Sequence, residues 1–230
     1  MTLRKYKYSV LTLMLIAMLI LESLASRTAR TPIVSDLFLT IVAMAVFAVI
    51  FQRRWERIVA FITLAASITI TWSRHLPIAA GYGISLEITQ HFMQAAFFAF
   101  AVALILRNIF QAAAITRDDV AGAVCGYLLA SSAWRCLFAV TAIVVPGSFA
   151  ISPDLHDVAS AQGRTALFSY FSVVTLTSVG YGDITPVRPP ADVLAMLEAV
   201  FGQFYIAIVV AQLVGLRLAQ ALTPGEPPSH

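Results

Sequence analysis

Apolar residues in this chain come in long runs separated by short polar flanks. Six runs approach the roughly 20 residues that a bilayer-spanning helix requires, at 9–25, 33–51, 58–72, 84–106, 120–145 and 191–216. In lipid only helices and closed barrels satisfy their own backbone groups, and these runs lack the two-residue alternation of barrel strands. Six transmembrane helices are therefore predicted. The third run is the shortest and spans if Arg57 snorkels while Trp55 and Trp72 anchor its ends. Between the fifth and sixth runs the pattern changes to a polar segment at 146–163, an apolar stretch at 164–176 and then TLTSVGYGDITP. A helix over 164–176 would be roughly 20 Å long at about 1.5 Å per residue, so it enters the membrane and stops.

Composition supports a membrane setting. The chain is 60% apolar and 12% charged, against roughly half and a quarter in soluble domains. An all-α integral membrane protein follows, with the lipid bilayer as its solvent. The formal charge of +3 does not point to nucleic acid, because the basic residues flank apolar runs and form no single patch. They predict topology instead. With the amino terminus inside, the inner side carries Arg4, Lys5, Lys7, Arg53, Arg54, Arg57, Arg107, Arg117 and Arg217, and the outer side only Arg27, Arg30, Arg74, Arg164 and Arg188. Both termini are expected in the cytoplasm of a multi-pass protein of the plasma (bacterial inner) membrane, and the glycine-rich stretch then opens outward. The first run also fits a signal peptide followed by SLAS, but Glu22, Arg27 and Arg30 favour an uncleaved helix. Cys125 and Cys136 lie three helical turns apart in one run, so they cannot bond to each other and are read as packing residues.

The tripeptide GYG occurs twice, at Gly81 to Gly83 and at Gly180 to Gly182. The first copy follows Trp72 too closely for a re-entrant helix, is preceded by Pro77 and reads as an outer turn. The second follows a half-span helix and the hydroxyl residues Thr177 and Ser178, and precedes Asp183. Non-helical backbone at membrane depth is tolerated where protein buries it or where it lines a watery path. Alternate glycines let successive carbonyls turn toward one axis, since glycine reaches conformations that a Cβ disfavours.

TLTSVGYGD closely resembles the selectivity-filter signature of potassium channels, and the half-span helix before it and apolar run after it resemble that family's pore module over residues 121–218. The longer string VTLTSVGYGDITP, with FSYFS ahead of it, is similar to bacterial channels with one pore loop after four other helices. The resemblance implies that carbonyls of Ser178, Val179, Gly180 and Tyr181 coordinate K+, that the Ser178 hydroxyl is the innermost ligand, that Thr177 and Gly182 flank the filter, and that Asp183 caps it. K+ would be the permeant ion and no cofactor is implied. One loop supplies a quarter of a ring, so a homotetramer is implied. Ser178 departs from the commoner threonine, Val174 stands where some members carry glutamate, and Tyr170 and Phe171 stand where many carry paired tryptophans.

In that family the last helix lines the cavity, and Gly202 lies twenty residues after Gly182, the spacing of a hinge glycine in many members. The hinge is preferred to a close helix contact at Gly202, and a packing contact is preferred at Gly215. No Lys or Arg occurs between Ile84 and Leu106, so the fourth helix lacks the regularly spaced arginines of a voltage sensor. The expected organisation is a sensor-less four-helix region at 1–118, a pore module at 119–218 and a disordered, proline-rich cytoplasmic tail at 219–230 without a ligand-binding domain. The stimulus for opening is left open among constitutive leak, pH, lipid and a separate regulatory subunit. A K+-translocating subunit of an uptake transporter is the alternative, although such proteins resemble channels with four degenerate loops per chain; a nonselective cation channel would usually lose the tyrosine or one filter glycine.

His75, His91, His156 and His230 are scattered and form no metal or triad pattern, so no enzyme is expected. His91 and Glu87 are read as an interfacial pair without a gating role. Two charges fall inside spans, Arg135 in the fifth and Glu198 in the sixth, where an unpaired charge is expensive. Their depths match to about 6 Å at 1.5 Å per residue. With Tyr170 they are assigned to the filter scaffold, with Glu198 accepting from pore-helix backbone or from Arg135; the alternative is that Arg135 snorkels or faces the four preceding helices while Glu198 lies in the wet outer vestibule.

Overall fold

The computed structural model describes residues 6–25, 32–73, 83–112, 114–153, 155 and 161–222. Seven helices and one small sheet occur among them: α1 (Lys7–Ala25), α2 (Pro32–Ile50), α3 (Arg54–Ser73), α4 (Gly83–Phe110), α5 (Arg117–Val144), β1 (Phe149–Ile151), α6 (Ala161–Leu176), β2 (Ile184–Pro186) and α7 (Ala191–Leu222). Four of these helices, α3, α4, α5 and α7, are long and apolar enough to cross a membrane. Helix α6 has 16 residues, about 24 Å at 1.5 Å per residue and shorter than the hydrocarbon core.

Local sequence explains the helix ends. Thr116 caps α5 through a capping box with Asp119, each side chain accepting from the other's backbone N–H. The next residue but one from the cap, Asp118, reaches across to α1 and accepts from Tyr8 N at 3.3 Å and Ser9 N at 3.0 Å. Donors at the start of α1 that no helical carbonyl can take are thereby satisfied by a carboxylate, which also suits the helix dipole. The turn between α4 and α5 is short, and these two helices make the most extensive pairing in the chain.

Two apolar clusters hold the helices. The larger joins α1–α5 with part of α7 through Leu11, Leu15, Val42, Val46, Phe97, Phe98, Leu129 and Val209, among others. The smaller surrounds α6: Phe138, Phe149, Phe168 and Phe171 pack together, with ring centroids 4.9 Å apart for Phe138–Phe171 and for Phe149–Phe168. Strands β1 and β2 pair antiparallel with Ala150 opposite Thr185, which returns the chain to the top of α5 after the glycine-rich loop.

Three details differ from the expectations. Helix α7 continues through Leu222, so the tail does not begin at 219; residues 223–230 lie outside the described residues. Gly215 has open space where a Cβ would stand, so it makes no packing contact among the described residues. Glu87 and His91 are buried at 6% and 4% exposure, and Glu87 is bonded to Arg164 of α6 at 2.8 Å besides lying 3.8 Å from His91. The first GYG lies outside the described residues except for Gly83, the first residue of α4; His75, His156, His230 and the SLAS segment after Ser23 also fall where side chains are not described.

Candidate functional site

Helix α6 delivers the chain to the loop 177–183, which β2 then carries away. The helix ends because its last carbonyls are taken by the loop. Thr177 N donates to Val173 O at 3.0 Å, Ser178 N to Thr175 O at 2.9 Å and Val179 N to Val174 O at 3.0 Å. With these amide groups folded back on α6, the carbonyls of 177–182 accept no hydrogen bond among the described residues, while the Asp183 carbonyl accepts from Ser152 N at 2.9 Å. Positive φ angles occur at Ser178 (58°), Gly180 (58°) and Gly182 (81°), and among the described residues no other non-glycine has one. Every second residue is thus left-handed. Alternating hands along a chain turn successive N–H groups to one side and successive carbonyls to the other. Two of the three positions are glycines, which adopt positive φ without steric cost. Ser178 pays that cost, and it is held there: Gln203 Nε2 in α7 donates to its Oγ at 2.9 Å.

The predicted residues meet as follows. Thr177, Ser178, Val179, Gly180, Tyr181, Gly182 and Asp183 form the continuous loop, with Val179 53% and Tyr181 70% exposed in the single chain. Tyr170 in α6 donates its hydroxyl to Asp183 Oδ2 at 2.5 Å, and its ring stacks on Tyr181 with the planes 7° apart. The carboxyl-terminal end of the loop is tied to the helix that introduces it. At its amino-terminal end, Gly202 in α7 lies against the last turn of α6, where an added Cβ would collide with the Leu176 carbonyl. The same carbonyl accepts from the Tyr127 hydroxyl of α5 at 2.8 Å.

Arg135 and Glu198 are not partners. Arg135, 1% exposed, donates from Nη1 to Glu22 Oε1 of α1 at 2.7 Å. Glu198, fully buried, accepts the Ser172 hydroxyl of α6 at 2.5 Å, a side chain of that helix and not its backbone. The proposed pair fails because depth gives only height along the membrane normal. Arg135 points from α5 toward α1, whereas Glu198 points from α7 toward α6.

Several contact residues were not singled out from the sequence. Ser131 and Tyr127 of α5 meet Ser172 and the Leu176 carbonyl of α6, and Ser169 donates to Glu22 Oε2 at 2.6 Å. The string FSYFS carried a readable signal, since Ser169 and Ser172 lie three apart on one side of a short apolar helix, although they meet different helices, α1 through Glu22 and α7 through Glu198. Among the described residues, no group of three or more His, Cys, Asp or Glu stands close enough to hold a metal ion.

Against known proteins, residues 129–216 match a family model described as Ion channel. That span runs from the middle of α5 through the loop to α7. The chain is also similar to Two pore potassium channel c of Oryza sativa subsp. japonica, with 35% identity over 75 residues. The aligned part is 32% of this chain and 15% of the relative, so the chain spans a small fraction of the curated protein it matches. No solved structure gives a significant match. The carboxyl-terminal half of this helical membrane protein, which contains the loop, is therefore similar to ion channels.

Proposed function

We propose that the chain forms a K+-selective channel, with the carbonyls of Ser178, Val179, Gly180 and Tyr181 and the Ser178 hydroxyl as its ion ligands. The observation that carries this reading is the alternation of positive φ at Ser178, Gly180 and Gly182 in a loop that follows a half-span helix. An ion sheds its water only where oxygens replace the hydration shell, and a stack of carbonyls on one axis supplies them. One chain offers such a stack along one side only. The exposed Val179 and Tyr181, together with the exposed apolar face of α7 at Val200, Phe204 and Ile208, favour closure of the ring by further copies. Four copies of a single pore loop make a symmetric ring, so the proposed assembly is a homotetramer.

In this reading α5, α6 and α7 are the pore module, and α1–α4 form a region without voltage-sensor arginines. The 19 residues of α1 and of α2 give about 28 Å each at 1.5 Å per residue, enough for six spans in all with modest thinning or snorkelling. Both termini lie in the cytoplasm of a plasma-membrane protein. The negative end of the α6 dipole points at the inner mouth of the loop, where a cation waits to enter. Gly202 combines two roles, a close contact with α6 and a hinge for α7. A regulatory subunit is compatible with this arrangement.

Reconstitution in liposomes tests the reading. Flux of K+ and Rb+ should far exceed that of Na+, with unitary current steps in single-molecule recordings. Saturable flux without unitary steps would favour a K+-translocating transporter subunit, and a reversal potential insensitive to the K+ gradient would remove both.

A further inference from the structure

The half-span helix α6 is attached to more than its own module. Within the module it is held by Ser172, which donates to Glu198 and has the Ser131 hydroxyl 3.1 Å from its oxygen, and by Tyr170 to Asp183. Two further contacts leave the module. Ser169 donates to Glu22 of α1 across 147 residues of sequence, and Arg164 grips Glu87 of α4, with Nη2 at 2.8 Å from each carboxylate oxygen and Nε at 3.1 Å from Oε1. Glu22, Glu87 and Ser169 are all less than a tenth exposed.

Neither contact is incidental packing. A hydroxyl on a helix can instead turn back on its own backbone: Thr40, Thr71, Ser132 and Thr141 donate to the carbonyl four residues earlier, whereas Ser169, like Ser172 and Tyr205, reaches another helix. Ser169 has one hydrogen to give, and it goes across to Glu22. Both Glu22 oxygens are used, one by Ser169 and the other by the buried Arg135. A buried arginine needs an anion, and the anion that meets it is also the one that holds α6.

Arg164 and Ser169 are five residues apart, about 7.5 Å along the axis at 1.5 Å per residue. A helix fixed at two heights can neither slide nor turn without breaking one attachment. The residue after Ser169 is Tyr170, whose hydroxyl holds Asp183 at the outer end of the loop. A rotation of α6 that carried Ser169 away from Glu22 would carry the Tyr170 hydroxyl with it.

We infer that Glu22 and Glu87 are positioning residues of the ion-selective loop: through Ser169 and Arg164 they fix α6, so the amino-terminal helices set how long the loop stays conductive. This rests on the channel reading and deepens it. It gives α1–α4 a role that needs no voltage-sensing arginine, because any agent that shifts α1 or α4 acts on the loop through these two carboxylates.

The full chain reconstituted in bilayers provides the test, with single-channel burst duration and the K+/Na+ permeability ratio as readouts beside the temperature of tetramer dissociation. Wild-type protein without K+-selective current would remove the channel reading before any variant is compared. Given such current, Ser169→Ala leaves the Glu22–Arg135 pair intact and frees only α6, and Glu87→Gln keeps its size and an acceptor while losing charge. Each should change burst duration by at least about fivefold, and the double variant by more than the product of the two. Ser169→Thr, which restores the hydroxyl, should recover wild-type bursts, and Thr141→Ala, a hydroxyl bonded only to its own helix, should leave them unchanged. Variants whose sole change is a lower dissociation temperature, with bursts and permeability ratio as in wild type, would overturn the assignment.

Discussion

Ser172 in α6 donates its only hydroxyl hydrogen to Glu198 Oε1 in α7 at 2.5 Å, and both residues are fully buried. The Ser131 hydroxyl lies 3.1 Å from the Ser172 oxygen, positioned to donate in turn. Three helices of the carboxyl-terminal half therefore meet in one short chain of polar groups. Such a chain is strong when complete and costly when a member is lost, because the remaining groups stay buried without partners.

Ser172→Ala should therefore destabilise the assembled protein by about 1–3 kcal/mol, the usual cost of a buried acceptor left without its donor. Glu198→Gln keeps an acceptor oxygen for Ser172 and should cost less. Thermal dissociation of the purified assembly, read by native electrophoresis, orders the two. The reverse order would mean that the charge of Glu198, and not the Ser172 bond, is what the helices require.

At the inner end of the loop, Gly202→Ala should be destabilising despite the better helix propensity of alanine. A methyl at this position meets the Leu176 carbonyl, and overpacking of this kind costs about 1–3 kcal/mol. The general gain from glycine to alanine in a helix is about 1 kcal/mol at most, so the steric term decides the sign. If Gly202 served only as a hinge, the alanine variant would assemble with wild-type or greater stability and differ in open probability alone. Gly215→Ala, with open space around it, is the matched comparison and should be neutral or stabilising in dissociation assays.

Tyr170→Phe removes one hydroxyl and leaves the ring to stack on Tyr181. Asp183 then loses the donor at 2.5 Å that ties it to α6, while Ile184 N still donates to its other oxygen at 3.0 Å. The outer end of the loop should become less persistent: shorter single-channel bursts are expected, with assembly unchanged. Bursts identical to wild type would show that ring stacking alone holds the outer end.

The helices and the loop were legible because their physics is local. Residues 120–145 and 191–216 read as spans and fold as Arg117–Val144 and Ala191–Leu222. Apolar length decides such elements whatever their neighbours do. The half-span helix and the chemistry of TSVGYGD are likewise written in adjacent residues. The partners of the buried charges were not. Counting from the ends of a run places Arg135 at a height about 6 Å from Glu198 and about 12 Å from Glu22 at 1.5 Å per residue, so depth favours the wrong partner, and the choice depends on which face of α5 turns toward α1. That face is set by how α4 and α5 pack, a relation no short stretch encodes. Glu22 drew notice only as a charge beside a cleavage signal, since nothing near it in sequence reveals a cation 113 residues away.

The Arg135–Glu22 pair makes the sharpest prediction about stability. Arg135 is 1% exposed and its Nη1 lies 2.7 Å from Glu22 Oε1. Removing one member leaves an uncompensated buried charge, which costs about 3–5 kcal/mol, whereas replacing both members with apolar residues of similar volume is often close to neutral. Arg135→Met alone should therefore lower the dissociation temperature more than Arg135→Met combined with Glu22→Met. The double variant still loses the acceptor for Ser169, so it should not regain wild-type stability. Arg135→Met combined with Glu198→Gln serves as the control cycle: these residues share no hydrogen bond, and their losses should add to within about 0.5 kcal/mol. Additive losses for Arg135 with Glu22, together with coupling between Arg135 and Glu198, would reverse the assignment of partners and return the arginine to α7.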